Sequence, residues 1–308
     1  MSGYALWTAI WQGFLGGILC LGVYVSFSIV RFPDLTCDGS YPLGACIVAV
    51  TISAGFNPFL GTALAVICGA VAGTITGLLN TKLKIPAIVA SILVMLSLYS
   101  VNLVAMNAPI ISLSKTKTVF WGIENFISKN NNSLNKYHIT NIIYPLLFLV
   151  VVYLIKKSLD WFLNTEFGIA LRAAGDNPKM ARAMGINEQA MVWIGLALAN
   201  GLIAFSGALF AQIQKFADVN LGIGMIIVGL ASVFIGEAIN NRVFKTKKLV
   251  YATTCVILGS MIYKFAIAVA YEIGLSTDYF NLLTSTIVIV ALLIPTLRSN
   301  ILSVIRRS

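Results

Sequence analysis

The chain has 308 residues, 58% of them hydrophobic and 10% charged, with a formal charge of +10, and its mean hydropathy is +0.90. Soluble domains carry about 25% charged residues, so this composition excludes an ordinary soluble enzyme or binding module and indicates an integral membrane protein. An outer-membrane barrel is excluded too, because no segment alternates apolar and polar side chains for long, and in a membrane chain the surplus of cations does not point to nucleic acid.

Nine apolar segments follow in chain order, over residues 4–30, 39–54, 56–79, 85–105, 142–163, 189–213, 221–239, 249–271 and 281–297. They predict an all-α polytopic membrane protein, one transmembrane domain over 1–308. The first segment is too long for the apolar core of a cleaved signal peptide and is expected to stay as a span. The fifth is interrupted by Lys156 and Lys157, whose stems can reach the interface. If residues 164–188 are cytoplasmic and 107–141 extracytoplasmic, fifteen of the 21 Lys and Arg fall inside and five outside, in the sense of the positive-inside rule. The N-terminus is then outside and the C-terminus inside.

Residues 31–36 (RFPDLT) and 215–220 (KFADVN) match in character at all positions but Pro33 against Ala217, and Gly17 matches Gly201 at the same offset. Each copy follows a long span and precedes a short, glycine-interrupted one. With nine spans the copies enter the membrane in opposite senses, so 1–106 and 189–308 are predicted to be inverted repeats with broken helices, the usual surroundings of a translocation path. Asp34, Asp38, Gly39, Asp218, Asn220 and Gly222 stand at these breaks as candidate pathway residues. The carboxylates either line the path or cap helix N-termini. Lys264 is a lone cation within the eighth segment, with Glu237 as a candidate partner.

Catalytic and cofactor signatures are missing. There is no GxxxxGK[ST] phosphate loop, no nucleophile with a neighbouring base, and a single histidine, His138, without metal-ligand company. The five cysteines lack ligand spacing, and all but Cys37 lie within apolar runs. The chain is therefore not expected to be an enzyme or to hold a metal or cofactor.

Residues 167–187 (FGIALRAAGDNPKMARAMGIN) form a polar, partly basic stretch of two short predicted helices between apolar runs. This is an element built to be gripped by another protein, or else an amphipathic loop on the lipid surface. Its Gly168, Leu171, Arg172, Ala173, Gly175, Asn177, Pro178, Ala181, Gly185, Ile186 and Asn187, together with residues 33–40 (PDLTCDGS), resemble the permease subunits of bacterial ABC importers in the branched-chain amino acid and ribose-type group. The wording of 33–40 is most similar to permeases paired with tryptophan/tyrosine-type binding proteins.

The resemblance implies a multi-pass protein of the bacterial inner membrane, paired with a second permease copy. Residues 164–188, with Arg182 among them, would be coupling helices seated on two ATPase subunits that bind ATP and Mg. An extracytoplasmic solute-binding protein would dock through Lys115, Lys117, Lys129 and Lys136. The solute would be small, an amino acid by resemblance, with a sugar or nucleoside left open. The competing reading is an ATP-independent carrier coupled to protons or sodium through Asp34, Asp38, Asp218 and Lys264; only the coupling loop separates the two.

Overall fold

The structure is a computed structural model that describes residues 3–114, 116–122, 125, 133–244, 248–273, 282, 284–286 and 289. α1 (Gly3–Tyr24) runs on into a π-turn (Val25–Ile29). Then come α2 (Cys37–Ser53), α3 (Pro58–Thr81), α4 (Ala87–Met106), β1 (Ile110–Ser112) and α5 (Ser133–Leu163). The short pair α6 (Glu166–Asp176) and α7 (Pro178–Ala183) leads to α8 (Glu188–Gln214), β2 (Phe216–Asp218) and a 3₁₀ turn (Val219–Gly222). α9 (Met225–Ile239) ends in a second π-turn (Asn240–Phe244), and α10 (Leu249–Glu272) follows.

Among the described residues, six helices are long and apolar enough to cross a membrane: Trp7–Ile29, Pro58–Thr81, Ala87–Met106, Glu188–Gln214, Val219–Arg242 and Leu249–Glu272. The protein is thus an all-helical polytopic membrane protein. Two further predicted segments coincide with α2 and α5, while the ninth, 281–297, lies largely outside the described residues.

Burial separates centre from periphery. The Trp7–Ile29 and Glu188–Gln214 spans are 72% and 67% buried, against 22% for Ala87–Met106. α8 packs on α3, α2 and α1, and α1 packs on α10. Small residues set these distances, since between helices in lipid close backbone approach is the main source of attraction. A Cβ at Gly73 of α3 would overlap the Leu196 carbonyl of α8, and one at Gly44 of α2 would overlap that of Ala204. Leu60, Leu64, Ile67, Leu93, Leu96 and Val104 stay exposed on the outer faces of α3 and α4, as a lipid or subunit contact requires.

β1 and β2 pair antiparallel, with Ile110 opposite Asp218 and Ser112 opposite Phe216. Leu113 N–H donates to the Lys215 carbonyl at 2.7 Å, and Val119 N–H to Gln212 Oε1 at 3.0 Å. The 107–122 loop is thereby stitched to the C-terminal end of α8. α6 and α7 adjoin its other end.

Candidate functional site

The two matched segments share a backbone device. Arg31 (φ 57°) and Lys215 (φ 59°) are both left-handed, a conformation rare outside glycine. Each turns the chain sharply after a long helix. Three residues later an aspartate folds over its own backbone: Asp34 Oδ1 accepts from Thr36 N–H at 2.9 Å and Asp218 Oδ1 from Asn220 N–H at 2.8 Å, the Asx turn that this residue type favours.

Their surroundings differ. Asp34 is 3% exposed, and its second oxygen accepts from Asn200 Nδ2 at 2.6 Å, while Asn200 Oδ1 accepts from Ser40 Oγ at 2.7 Å. The Thr36 and Thr76 hydroxyls bond at 2.8 Å beside them. Asp218 is only half-buried, in β2 against β1, and Asn220 is exposed.

The two short helices begin against each other. α2 opens after Thr36 without a side-chain cap, and the carboxylate of Asp38 turns to the start of α9, where it accepts from Ile226 N–H at 2.7 Å and Gly224 N–H at 3.2 Å. Asp38 therefore caps α9 instead of its own helix. Gly222 rests on the Asp38 carbonyl, which a Cβ would overlap, and Gly39 packs against Leu98 and Met95 of α4. Of the candidate pathway residues, Asp38 and Gly222 are in direct contact, Gly39 faces α4, Asp34 occupies an adjoining buried seam, and Asp218 and Asn220 sit toward the β-ribbon.

The polar residues of the 164–188 loop are helix punctuation. Thr165 caps α6 through Gly168 N–H, Asn177 caps α7 through Met180 N–H at 3.1 Å, and Asn187 caps α8 through Ala190 N–H at 3.2 Å. Pro178 occupies the first turn of α7, and Gly185 (φ 81°) supplies the left-handed exit. Leu171 and Ala181 are buried and Ile186 half-buried, holding the pair to the bundle. Gly168 and Gly175 permit tight approach. A Cβ at Gly168 would strike the end of α5, and one at Gly175 the Ile29 carbonyl, where Arg31 also pairs with Asp176 at 2.5 Å. α6 is thus fastened to the chain just before the first break.

Arg172 faces inward. It lines a cavity of about 300 Å³ with Tyr24, Ser28, Asp176, Glu237 and Asn240, and its Nε is buried without a hydrogen-bond partner. Glu237 accepts from Ser28 Oγ at 2.9 Å. Arg182 is exposed and ion-paired with Glu188. The outward surface of the loop is apolar instead: Phe167, Ile169, Met180 and Met184 are 64%, 53%, 63% and 73% exposed. Sequence reasoning passed over these four; by helical spacing only Ile169, two residues from Leu171, stands on the opposite face of α6.

Of the docking lysines, Lys117 places its ammonium 4.7 Å from the centre of the Trp121 ring. Lys115 and Lys129 lie outside the described residues, and Lys136 falls in α5 at a position whose side chain is not described. Among the described residues no three His, Cys, Asp or Glu side chains are grouped to hold a metal ion.

Residues 6–297 match the family described as branched-chain amino acid transport system / permease component. The chain is 39% identical over 278 residues to a tyrosine transport system permease protein of Clostridioides difficile (strain R20291), covering 90% of this chain and 87% of that one. It is 32% identical over 292 residues to an uncharacterized protein of Rickettsia prowazekii (strain Madrid E), with 92% and 95% covered. A probable branched-chain amino acid transport permease protein of Methanocaldococcus jannaschii is 25% identical over 228 residues, with 70% and 68% covered. An apolar helical bundle, a capped loop pair at one end and a family match along nearly the whole chain place this protein in the branched-chain amino acid transport permease family, as the multi-pass inner-membrane translocation subunit of an ABC importer.

Proposed function

We propose that the chain imports an amino acid across the inner membrane as one of two permease copies, with two ATPase subunits beneath α6 and α7 and a solute-binding protein above the 107–122 loop. Nine spans arranged as inverted repeats over 1–106 and 189–308 frame the path. The matched left-handed residues and Asx turns at Arg31–Asp34 and Lys215–Asp218 support the repeat, and the tyrosine permease relative supports the solute class.

The observation that carries the reading is that each helix break is attached to one outer element. The first is held by α6 through Gly175 and the Arg31–Asp176 pair. The second is held by β1 through its ribbon with β2. An ATPase that moves α6 would shift residues 30–36 and with them α2, while a binding protein on the 107–122 loop would bear on α9. The Asp38 bonds to Gly224 and Ile226 tie α2 to α9, so they must yield when the path opens.

The test is uptake of radiolabelled L-tyrosine into liposomes holding the tagged chain with its co-expressed ATPase and binding protein. Uptake is expected only with ATP inside the compartment that faces α6 and α7. Uptake by the chain alone, driven by a proton or sodium gradient, would establish the carrier instead.

A further inference from the structure

A small cavity of about 40 Å³ lies beside the meeting point of α2 and α9 and is walled by α1, α2, α8, α9 and α10. Three residues with polar side chains line it, Lys264 of α10, Gln12 of α1 and Tyr41 of α2, and none of them makes a hydrogen bond or ion pair with a described residue. Tyr41 is 3% exposed. Glu237, the acid that sequence considerations offered to Lys264, is engaged by Ser28 at the inner cavity instead. No carboxylate lines the Lys264 cavity.

A cation within a span costs a few kcal/mol when isolated and is retained at functional positions. Tyr41 is buried and Lys264 and Gln12 are half-buried, so all three have capacity to donate to a bound group. Here a cation and two neutral donors share one space with no anion, and the remaining wall is apolar: Leu15, Leu19, Phe210, Met225 and Val228. The Tyr41 and Phe210 rings stand 6.0 Å apart, and Phe210 continues to Phe216 at 6.3 Å.

We propose that this cavity is the transit site for the carboxylate group of the solute. Lys264 binds the carboxylate, Gln12 and Tyr41 donate to it, and the solute's side chain lies along Phe210 and Met225. The assignment rests on the importer reading and narrows its substrate to organic carboxylates of the amino-acid type; ribose and adenosine lack the group that the ammonium needs. The space accommodates about one water or one carboxylate, so the structure is a closed form. Passage of a whole amino acid requires α2 and α9 to part.

The experiment compares Lys264→Gln, Lys264→Arg and Tyr41→Phe in the reconstituted complex, with labelled L-tyrosine, ribose and adenosine as probes. Co-purification of the ATPase checks assembly of each variant. With tyrosine, Lys264→Gln is expected to raise KM or cut uptake about ten- to a hundredfold, since bonds to charged groups are the stronger ones. Lys264→Arg should recover part of this, and Tyr41→Phe should lose about two- to tenfold while keeping the shape of the ring. Tyrosine uptake at the wild-type rate in assembled Lys264→Gln would overturn the proposal, as would wild-type import of ribose or adenosine. Lys264-dependent uptake of tyrosine without any ATPase would instead overturn the importer reading and leave the carboxylate site standing.

Discussion

Replacing Asp38 by alanine removes both acceptors that hold the first turn of α9, the 2.7 Å bond from Ile226 N–H and the 3.2 Å bond from Gly224 N–H. A bond to a charged group contributes about 1.5–3 kcal/mol, and loss of an N-cap costs about 0.5–2 kcal/mol. The shorter bond dominates and the longer adds little, so the expected loss is about 2 kcal/mol. Asn keeps an oxygen for Ile226 N–H but no charge, and should lose about half as much. Cys20, Cys37, Cys46 and Cys255 are free and buried, so a thiol-reactive dye reports unfolding in detergent without added labels. The midpoint should fall by roughly 4–8 °C for Asp38→Ala and by about half of that for Asp38→Asn. Asp218→Ala, which disturbs only a local turn at a half-buried site, should shift it by less than about 2 °C. If Asp38→Ala melts with the wild type, or if Asp218→Ala loses as much, the carboxylate is not a cap between α2 and α9.

Met184→Asp should cut recovery of the ATPase with the tagged chain at least about tenfold without changing the melting midpoint, because Met184 is 73% exposed on the outward face of the loop; equal recovery would remove the apolar knob from the docking surface. Asp160 joins Lys156 at 2.6 Å and Thr253 at 2.8 Å, bridging α5 to α10. Asp160→Ala should therefore cost about 3–5 kcal/mol by stranding a buried ammonium, and the double replacement Lys156→Leu, Asp160→Leu should regain most of that in the same dye assay. A cysteine at Ser114 should react with an impermeant reagent from outside intact cells and one at Asn241 only after the membrane is opened; the reverse pattern would invert the orientation.

The helices were legible because a span is a one-dimensional signal: twenty apolar residues announce themselves without reference to the rest of the chain. The punctuation of the 164–188 loop is equally local, since Asn177, Pro178, Gly185 and Asn187 act within one turn, although the sequence reading took these residues only as marks of the family. What Asp38 and Asp34 do was not. Asp38 has a glycine beside it and every local reason to cap α2, yet its partners stand near position 225. Asp34 and Asp218 share a turn, but Asn200, which buries Asp34, corresponds to Gly16 in the first copy, so no matching amide exists for Asp218. The direction of Arg172 was hidden for a third reason: a basic residue on a short helix is as readily turned into a polar cavity as toward a partner, and only the folded chain places it beside Tyr24, Ser28 and Glu237.

Both helices that close over the inner cavity end in π-turns, at Val25–Ile29 and Asn240–Phe244; Val30 N–H reaches back to the Val25 carbonyl at 2.9 Å and Phe32 N–H to that of Ser26 at 2.9 Å. A π-turn carries an extra residue within the helix, and passing it along by one position turns only the residue it crosses, by about 100°, while hydrogen bonds are exchanged rather than lost. Ser28 and Ile29 on one side and Asn240 and Asn241 on the other line the cavity at these two places. On the proposed import path, such a pair of π-turns would present a different side chain to a departing solute without melting a helix. A cysteine at Ser28 whose reactivity toward a cytoplasmic reagent alternates with the nucleotide state of the ATPase would show the step, and constant reactivity would mean that the π-turns are fixed architecture.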